Sequence, residues 1–485
     1  DLYEDTLQSL TPLPPVRLHY ARALNRIVDA HDPLREQVEN ALNAYPPRPL
    51  VILQTIINKL ETIEQTPRRR ELLIALILSA ADQGNTLWAY PSPRNRPRQI
   101  VIPTVYQEKN LWQAMEEAIP TWQVMDTPIP LKEWQDPPDE NFGIYRFQGR
   151  FKELQPQLPD AFFSAVLAAV PRPNQAFWTL SALWTGWIWG QEAVAPIRNV
   201  LARQRYDWNW HTNALGSVFE EIREQHHPAQ RVCGLVAENE PMLLIASLLA
   251  AGSAGFQLKT FAQSLDDQVA QCTWSIASIV SQQAQPLPQP NDVRMKVEDY
   301  LTQKGESASY QQVHAAVAAS LASDRSLIAE NFLRTNNLAA SEIQKLIEAP
   351  FTDQDVLVRV GGGTASIETG EWWLADASGA EPPLIDRVEE HIVRTLVSTE
   401  TITAQALKAS VYRAFPGIFT PQDKVLLNCL ESYAELVSKE EHIWKLRESE
   451  MPAARRADIQ EIRTALERIA EQLNYQSHGT DPIAW

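Results

Sequence analysis

The segment AVLAAVPRPNQAFWTLSALWTGWIWG, residues 165–190, restricts the possible folds more than any other part of the chain. An apolar run of strand length leads into a Pro-Arg-Pro-Asn turn, and four tryptophans then follow within twelve positions. Because proline disfavours helix in the residue before it, the turn separates a strand from a helix that begins near Gln175. On that helix Trp184 shares a face with Leu180, whereas Trp178 lies on another face. A helix that is apolar on more than one side must be buried or lie at an interface.

Strand-length apolar runs and helices alternate between residues 141 and 285. The runs are FGIYRFQG, AVLAAV, RVCGLVAE, FQLKTFAQ and QCTWSIAS. Between two of them, the apolar helix PMLLIASLLAAGSAG has Pro241 at its expected first turn and Gly255 at its expected exit. Alternating strands and helices are typical of an α/β domain, so we expect a mostly parallel sheet with both faces covered.

Further modules are expected on both sides of this domain. Residues 1–140 predict a helical region followed by a Pro-rich connection. After a Pro/Gln linker at 283–290, residues 286–378 and 379–485 each contain a helix, a polar turn, a second helix and an extended piece with tryptophan, which favours winged-helix-like modules. The glycines of GGGT at 361–364 are interpreted as the wing turn of the first module. The stretch RRADIQEIRTALERIAEQLNY in the second predicts an amphipathic terminal helix.

Composition predicts a soluble cytoplasmic protein. The chain has 485 residues, too many for one small core, and no apolar run approaches the length that spans a membrane. Its cysteines, Cys233, Cys272 and Cys429, are far apart, which argues against both disulfides and a structural zinc site. A net charge of -17 disfavours nonspecific binding of nucleic acid by the whole surface. The chain begins with Asp1 rather than Met, which leaves open that it is a piece of a longer polypeptide.

A longer stretch around the opening segment, GRFKELQPQLPDAFFSAVLAAVPRPNQAFWTLSALW, resembles part of the bacterial DNA amino-methyltransferases. In that family a strand ends in an Asp/Asn-Pro-Pro-aromatic motif, whose acid or amide binds the target amino group while the aromatic ring stacks on the extruded base. The order of RVCGLVAE, EPMLLIASLLAAGSAG and FQLKTFAQ is similar to the late sheet order of the same fold.

This resemblance implies an α/β fold with a Rossmann-like, methyltransferase-type sheet domain, between an N-terminal helical region and C-terminal winged-helix-like modules. It implies S-adenosylmethionine as the cofactor and DNA as a partner.

The chain departs from the family pattern at the catalytic motif and at the cofactor loop. Ala169 and Val170 stand where the acid and the first proline are expected, so the catalytic acid is missing and Asn174 is the candidate replacement. No glycine-rich loop after an apolar strand precedes the sheet domain. Glu238 and Glu240 follow the strand RVCGLVAE, and ligands often bind at the carboxyl edge of such strands, so both are candidate cofactor contacts. Helix capping and packing explain these two glutamates equally well.

Two sets of residues combine positive charge with aromatic surfaces, as contact with nucleic acid requires. They are Arg94, Arg96 and Arg98 of the Pro-rich connection, and Arg172 with Trp178 of the strand-turn-helix. A solvated loop explains the first set as well, and a core position explains Trp178 as well. We expect no metal site, because no His, Cys, Asp and Glu residues show the spacing of metal ligands.

Three functions stay open. The preferred one is a catalytically degenerate, DNA-methyltransferase-like protein that serves as a DNA-binding or scaffold subunit, with other protein subunits, in a DNA modification or defence system. The second is an active, S-adenosylmethionine-dependent DNA amino-methyltransferase whose cofactor-binding half lies upstream or in another chain. The third is a protein-interaction scaffold in which acidic winged helices contact proteins instead of DNA.

Overall fold

The protein is a mixed α/β chain with several small sheets. The computed structural model describes residues 16–88, 100–122, 131–134, 144–147, 149, 153, 165–202, 208–224, 231–237, 240–267, 269–276, 288–324, 327, 339–363, 366–473 and 475. Its internal contacts divide the chain into a first unit, Asp1–Arg150 with Pro173–Asp207, and a second unit, Phe151–Arg172 with Trp208–Trp485. The division passes through the range 141–285, since the tryptophan-rich helix belongs to the first unit and the strand before it to the second.

The first unit is mainly helical. Its elements are α1 (Val16–Ile27), α2 (Arg35–Leu42), α3 (Pro47–Thr62), α4 (Pro67–Gln83), α5 (Leu111–Trp122), β1 (Leu131–Glu133), β2 (Ile144–Arg146), α6 (Gln175–Trp189), α7 (Gln191–Val194) and α8 (Asn199–Ala202). Pro47 and Pro67 open α3 and α4 at the helical position where a missing backbone N–H is not needed. The Thr66 side chain accepts the Arg69 N–H at 3.4 Å and caps α4. Local signals therefore define where both helices begin.

Helix α6 lies in the core of the first unit. Leu183 and Trp187 are buried in the same apolar cluster as Ile27 of α1. Gly186 allows this close approach, because an added Cβ would lie 2.9 Å from the Ile27 side chain. Arg26 donates from Nε to the Trp187 carbonyl at 2.7 Å, which satisfies an acceptor at the end of α6. The prediction that this helix is buried is confirmed.

The second unit contains the main sheet and the C-terminal modules. The sheet strands are β3 (Ala165–Val170), β4 (Arg231–Ala237), β5 (Phe256–Ser264) and β6 (Val269–Ile276), and they lie in the order β3-β4-β6-β5. Helices α9 (Trp208–Glu224) and α10 (Pro241–Ser253) share an apolar core with these strands. Pro241 opens α10, and Gly255 beyond its end has φ +85°, as the sequence predicted.

The prediction of a mostly parallel, doubly covered sheet is wrong. β3 and β4 run parallel, but β6 pairs antiparallel with both β4 and β5. The direction follows from the short turn between β5 and β6, since a tight hairpin can join only antiparallel strands. One face of the sheet is also open: Leu167 of β3 is 82% exposed and Leu235 of β4 is 48% exposed. The sequence predicts that the run FGIYRFQG is a strand of this sheet. In the structure its described strand, β2, instead pairs in parallel with β1 in the first unit.

Two stretches of the second unit repeat one order of elements. The first contains α11 (Pro290–Lys304), β7 (Ala308–Ser309), α12 (Tyr310–Ser323), α13 (Ala339–Glu348), β8 (Leu357–Val360) and β9 (Glu371–Leu374). The second contains α14 (Leu384–Ser398), β10 (Ile402–Thr403), α15 (Ala404–Ala414), α16 (Asp423–Tyr433), β11 (Ala434–Ser438) and β12 (Ile443–Leu446). In each, the last strand lies between the other two in an antiparallel sheet. The GGG run lies between the antiparallel strands β8 and β9, and Gly361 and Gly362 have positive φ. Its role as the wing of a winged helix stays a prediction.

Helix α17 (Pro452–Gln472) follows the second of these sheets. Its position confirms the terminal helix predicted from the periodic pattern of apolar residues. Neither α17 nor any other helix in the described ranges is both long enough and apolar enough to cross a membrane.

Candidate functional site

Asn174 is the N-cap of helix α6. Its backbone is extended, and its Oδ1 accepts the Phe177 N–H at 2.8 Å. This hydrogen bond satisfies one of the N–H groups that a helix leaves unpaired in its first turn. Asn174 is buried, with 8% of its surface exposed. The side-chain oxygen that was the candidate for catalysis thus has a structural role in starting the helix.

The tryptophans of α6 differ in their surroundings. Trp184 donates from Nε1 to the Tyr45 hydroxyl at 2.6 Å, and Tyr45 donates to the Ala81 carbonyl at 2.8 Å. Trp187 donates from Nε1 to Gln54 Oε1 at 2.8 Å. These two rings are core residues with satisfied polar atoms, and burial raises the pKa of Tyr45.

Trp178, the tryptophan nearest the Pro-Arg-Pro-Asn turn, is half-buried, and Trp189 at the far end of the helix is 48% exposed. The ring proposed for base stacking is therefore partly accessible. It belongs to the first unit, whereas Arg172 belongs to the second.

Arg172 and Glu240 meet at one edge of the main sheet. Arg172 follows β3 and Glu240 precedes α10 after β4, and the carboxyl ends of these parallel strands lie side by side. The Arg172 Nε lies 3.8 Å from Glu240 Oε2, and the two side chains are 10% and 11% exposed. The sequence predicts contact with nucleic acid for Arg172 and with the cofactor for Glu240. In the structure the two form an ion pair with each other, and little of either side chain is exposed. A carboxylate in this position neutralises the arginine, which disfavours direct contact with a phosphate.

His211 of α9 also lies at this sheet edge. It is 3% exposed and hydrogen-bonds to the backbone of Pro171, which directly follows β3. Burial lowers the pKa of His211 to about 4, although the hydrogen bond to Pro171 acts in the opposite direction. The imidazole is therefore neutral near pH 7 and is held between the helix and the strand end. Sequence reasoning missed His211, because nothing in WNWHTN indicates that this polar side chain is buried.

Four of the candidate residues cannot be placed in this geometry. Arg94, Arg96, Arg98 and Glu238 lie outside the residues that the structure describes. The predictions for them therefore stay predictions.

S-adenosylmethionine, which the resemblance implies, does not fit the described residues of this sheet edge. The turn after β3 contains no glycine in its Pro-Arg-Pro-Asn sequence. Gly234 within β4 serves packing, since an added Cβ there would clash with the ring of Trp274. Glu240, the remaining candidate contact, faces Arg172. For metals, no group of three or more His, Cys, Asp or Glu suited to hold an ion occurs in the part of the chain that is described.

A second buried polar cluster joins α12 and α13. His314 Nε2 lies 2.8 Å from Gln344 Oε1, and Gln344 Nε2 donates to the Tyr310 hydroxyl at 2.8 Å and to Glu348 Oε1 at 2.5 Å. Because the amide oxygen of Gln344 can only accept, His314 carries a proton on Nε2. Burial lowers the pKa of His314 to about 4. The signal for this cluster is the spacing of four residues that puts Tyr310 and His314 on one face of their helix.

A cleft of about 210 Å³ lies elsewhere in the second unit. Its wall includes Tyr300, Lys304 and Gln312 together with apolar residues such as Phe261 and Val388. The Lys304 ammonium is 2.9 Å from Glu306 Oε1 and donates to the Ser307 carbonyl at 2.7 Å, so its charge is already neutralised within the wall.

At the positions where the resemblance predicts chemistry, the polar groups thus contact other groups of the protein: Asn174 caps a helix, and Arg172 pairs with Glu240. Comparison with known proteins adds no relative: no family model, no curated protein and no solved structure matches this chain.

Proposed function

We propose that this chain is a methyltransferase-like scaffold subunit that does not itself transfer methyl groups. The proposal starts from the resemblance in the strand-turn-helix segment and in the order of the later strands. The main sheet is consistent with it in one respect, since the strand before the turn, β3, lies parallel to and beside the later strand β4.

The hydrogen bond by which Asn174 caps helix α6 is the main observation behind the proposal. Its amide oxygen caps α6 through the Phe177 N–H, and the acid of the family motif is replaced by strand residues Ala169 and Val170. An amide that must hold a helix terminus is poorly placed to bind a target amino group as well. The pairing of Arg172 with Glu240 acts in the same direction, because it neutralises the nearby cation.

The C-terminal modules, which we interpret as winged helices, favour protein partners. In helix-turn-helix folds the recognition helix enters the major groove. In the first module this position is held by α13, whose Ile343 and Ile347 are fully buried in the core that also contains α9 and α10 residues. Among the described side chains of α13, only Lys345 is exposed. Little of that helix is free to contact a duplex.

In the second module, the helix and the turn that would face DNA in a winged helix carry more acidic than basic residues. Its third helix, α16, carries Asp423, Lys424 and Glu431, and the turn between β11 and β12 reads KEEH. Lys408 of the preceding helix lies 2.5 Å from Asp423 Oδ2, so its charge is paired. Because DNA binding depends on unpaired Lys and Arg, this surface suits a protein better than a duplex.

Calorimetric titration with S-adenosylmethionine and a methyl-transfer assay on DNA test the proposal. We expect no binding heat and no labelled product from the wild-type chain. The informative variant is Asn174→Ser, because serine keeps the cap oxygen but removes the amide. Product formation by the wild type that Asn174→Ser abolishes would assign catalysis to Asn174 and overturn the proposal.

A mobility-shift assay at low salt tests the choice of partner. We expect no complex with single-stranded or double-stranded DNA. A complex that weakens steeply as salt rises would instead support a DNA-binding subunit, since counterion release produces that dependence.

One observation favours the second function, an active enzyme completed by another polypeptide. Within the described residues β3 pairs only with β4, so it is an edge to which further strands could add. Leu167 of β3 is 82% exposed and gives this strand an apolar face that a second polypeptide could cover. This function predicts that the chain purifies natively with a second polypeptide and binds S-adenosylmethionine only in that complex. Leu167→Asp is expected to abolish both properties. Recovery of the chain alone, without cofactor binding, contradicts this function.

A further inference from the structure

Helix α17 carries an exposed apolar stripe of regular spacing. Alternating steps of three and four residues separate its members, which are Ile459, Ile462, Leu466 and Ile469 within α17 and the C-cap residue Leu473, with exposed fractions of 64, 58, 39, 51 and 60%. This is the spacing of a and d positions in a coiled-coil heptad. Across the 21 residues of the helix, Ala470 is the buried side chain. Within the described part of the chain, nothing covers this stripe as such a pattern requires in water.

We propose that α17 forms a parallel, in-register coiled coil with α17 of a second copy of this chain. Ile459, Leu466 and Leu473 take a positions, and Ile462 and Ile469 take d positions. In a parallel pair each residue packs in the layer of its own counterpart, so all stripe residues become covered. In an antiparallel pair each a position faces a d position of the other helix. The stripe has three a positions and two d positions, so an antiparallel pair leaves one residue of each helix uncovered in either register. The unequal numbers of a and d positions in the stripe therefore favour the parallel arrangement.

The charged flanks of the stripe complement a second copy. In this heptad frame Asp458 is at g and Arg463 is at the following e position. A parallel in-register dimer places each g residue beside the e residue five positions later on the other helix, which brings Asp458 to the partner copy's Arg463 on both sides. The other flanking positions along the stripe are Ala465, Ala470 and Gln472, which are uncharged, and the two alanines are small enough to allow close approach of the helices.

Asp458 and Arg463 each have an ion-pair partner on their own helix, and these pairs do not prevent contact with a second copy. Asp458 lies 3.8 Å from Arg455 Nη1, and Arg463 Nε lies 3.0 Å from Glu467 Oε1. Both are pairs within one helix and largely exposed, and such pairs contribute little to stability. The inference depends on the terminal helix alone and stands whether or not the proposed function holds.

Sedimentation of the full chain at increasing concentration tests the dimer. We expect the mass to rise from one chain to two across the micromolar range, because a coiled coil of few heptads associates weakly. Ile462→Asp puts a charge in the stripe and is expected to keep the chain monomeric at every concentration. The matched control is Thr464→Asp, which places the same charge on the outward face of the same helix and is expected to dimerise as the wild type does.

Charge reversal tests the parallel register. The variants Asp458→Arg and Arg463→Asp each place like charges opposite one another in a homodimer, so each alone is expected to associate roughly threefold to tenfold more weakly than the wild type. An equimolar mixture of the two is expected to recover dimerisation, because every g–e pair is then attractive in the mixed dimer. Circular dichroism of each variant checks that α17 stays helical.

Three results would overturn the inference. A wild-type chain that stays at the mass of one copy at the highest concentration excludes the homodimer. A dimer that survives Ile462→Asp places the interface elsewhere. Failure of the mixture to recover, with both variants helical, rejects the parallel register.

Discussion

Replacement of His314 by glutamine is expected to make the second unit less sensitive to acid. His314 is 1% exposed and its Nε2–H donates to Gln344 Oε1 at 2.8 Å. Glutamine has an Nε2–H at nearly the same distance from the backbone, so His314→Gln keeps the donor and removes the titrating group. The rest of the cluster, including Glu348, is the same in both proteins.

The magnitude follows from the pKa of His314, which burial lowers from 6.5 to about 4. Above pH 6.5 the imidazole is neutral in the folded and unfolded chain and the pH has little effect. As the pH falls below this value, the unfolded chain binds a proton that the folded chain does not, so stability decreases until the folded pKa near 4 is reached. Between about pH 7.5 and about pH 4.5 this contributes a loss of roughly 2 to 3 kcal/mol.

Urea unfolding at these two pH values, followed by circular dichroism, measures the effect. The wild type should lose about 2 to 3 kcal/mol more than His314→Gln, while contributions from His211 and from the carboxylates cancel in the difference. Equal losses in the two proteins would mean that His314 titrates normally in the folded state, and the argument from its burial would fail.

Three other substitutions test the packing of particular residues, each by urea unfolding. Trp187→Phe removes the N–H that Gln54 accepts in the core and should cost at least about 1 to 3 kcal/mol, and an unchanged midpoint would contradict a satisfied core role. Glu240→Gln removes the carboxylate that lies 3.8 Å from Arg172 Nε and should cost about 1 to 3 kcal/mol, whereas an unchanged midpoint would show that this ion pair contributes nothing measurable. Gly305→Ala should cost more than about 1 kcal/mol, because φ is +74° and the new Cβ would meet a backbone carbonyl, whereas a neutral result would mean that the turn relaxes freely.

The sequence by itself determined the elements whose limits depend on local chemistry. Pro241 and Gly255 define α10 because proline fits only the first helical turn and glycine adopts positive φ at little cost. The start of α6 was readable because Pro173 disfavours helix in the residue before it, and the glycines between β8 and β9 indicate a turn because glycine adopts positive φ readily. The amphipathic period of α17 was also visible, since side chains three and four residues apart share a helix face.

Tertiary structure decided how these elements combine and what the candidate residues contact. The position of β6 between β4 and β5 and the open face at Leu167 depend on strand pairing, which no local pattern specifies. The pairing of Arg172 with Glu240 joins residues far apart in sequence, and it exists because the parallel strands β3 and β4 end at the same edge. A side chain's role depends on its neighbours in space, so only the fold could show that these two charges face each other.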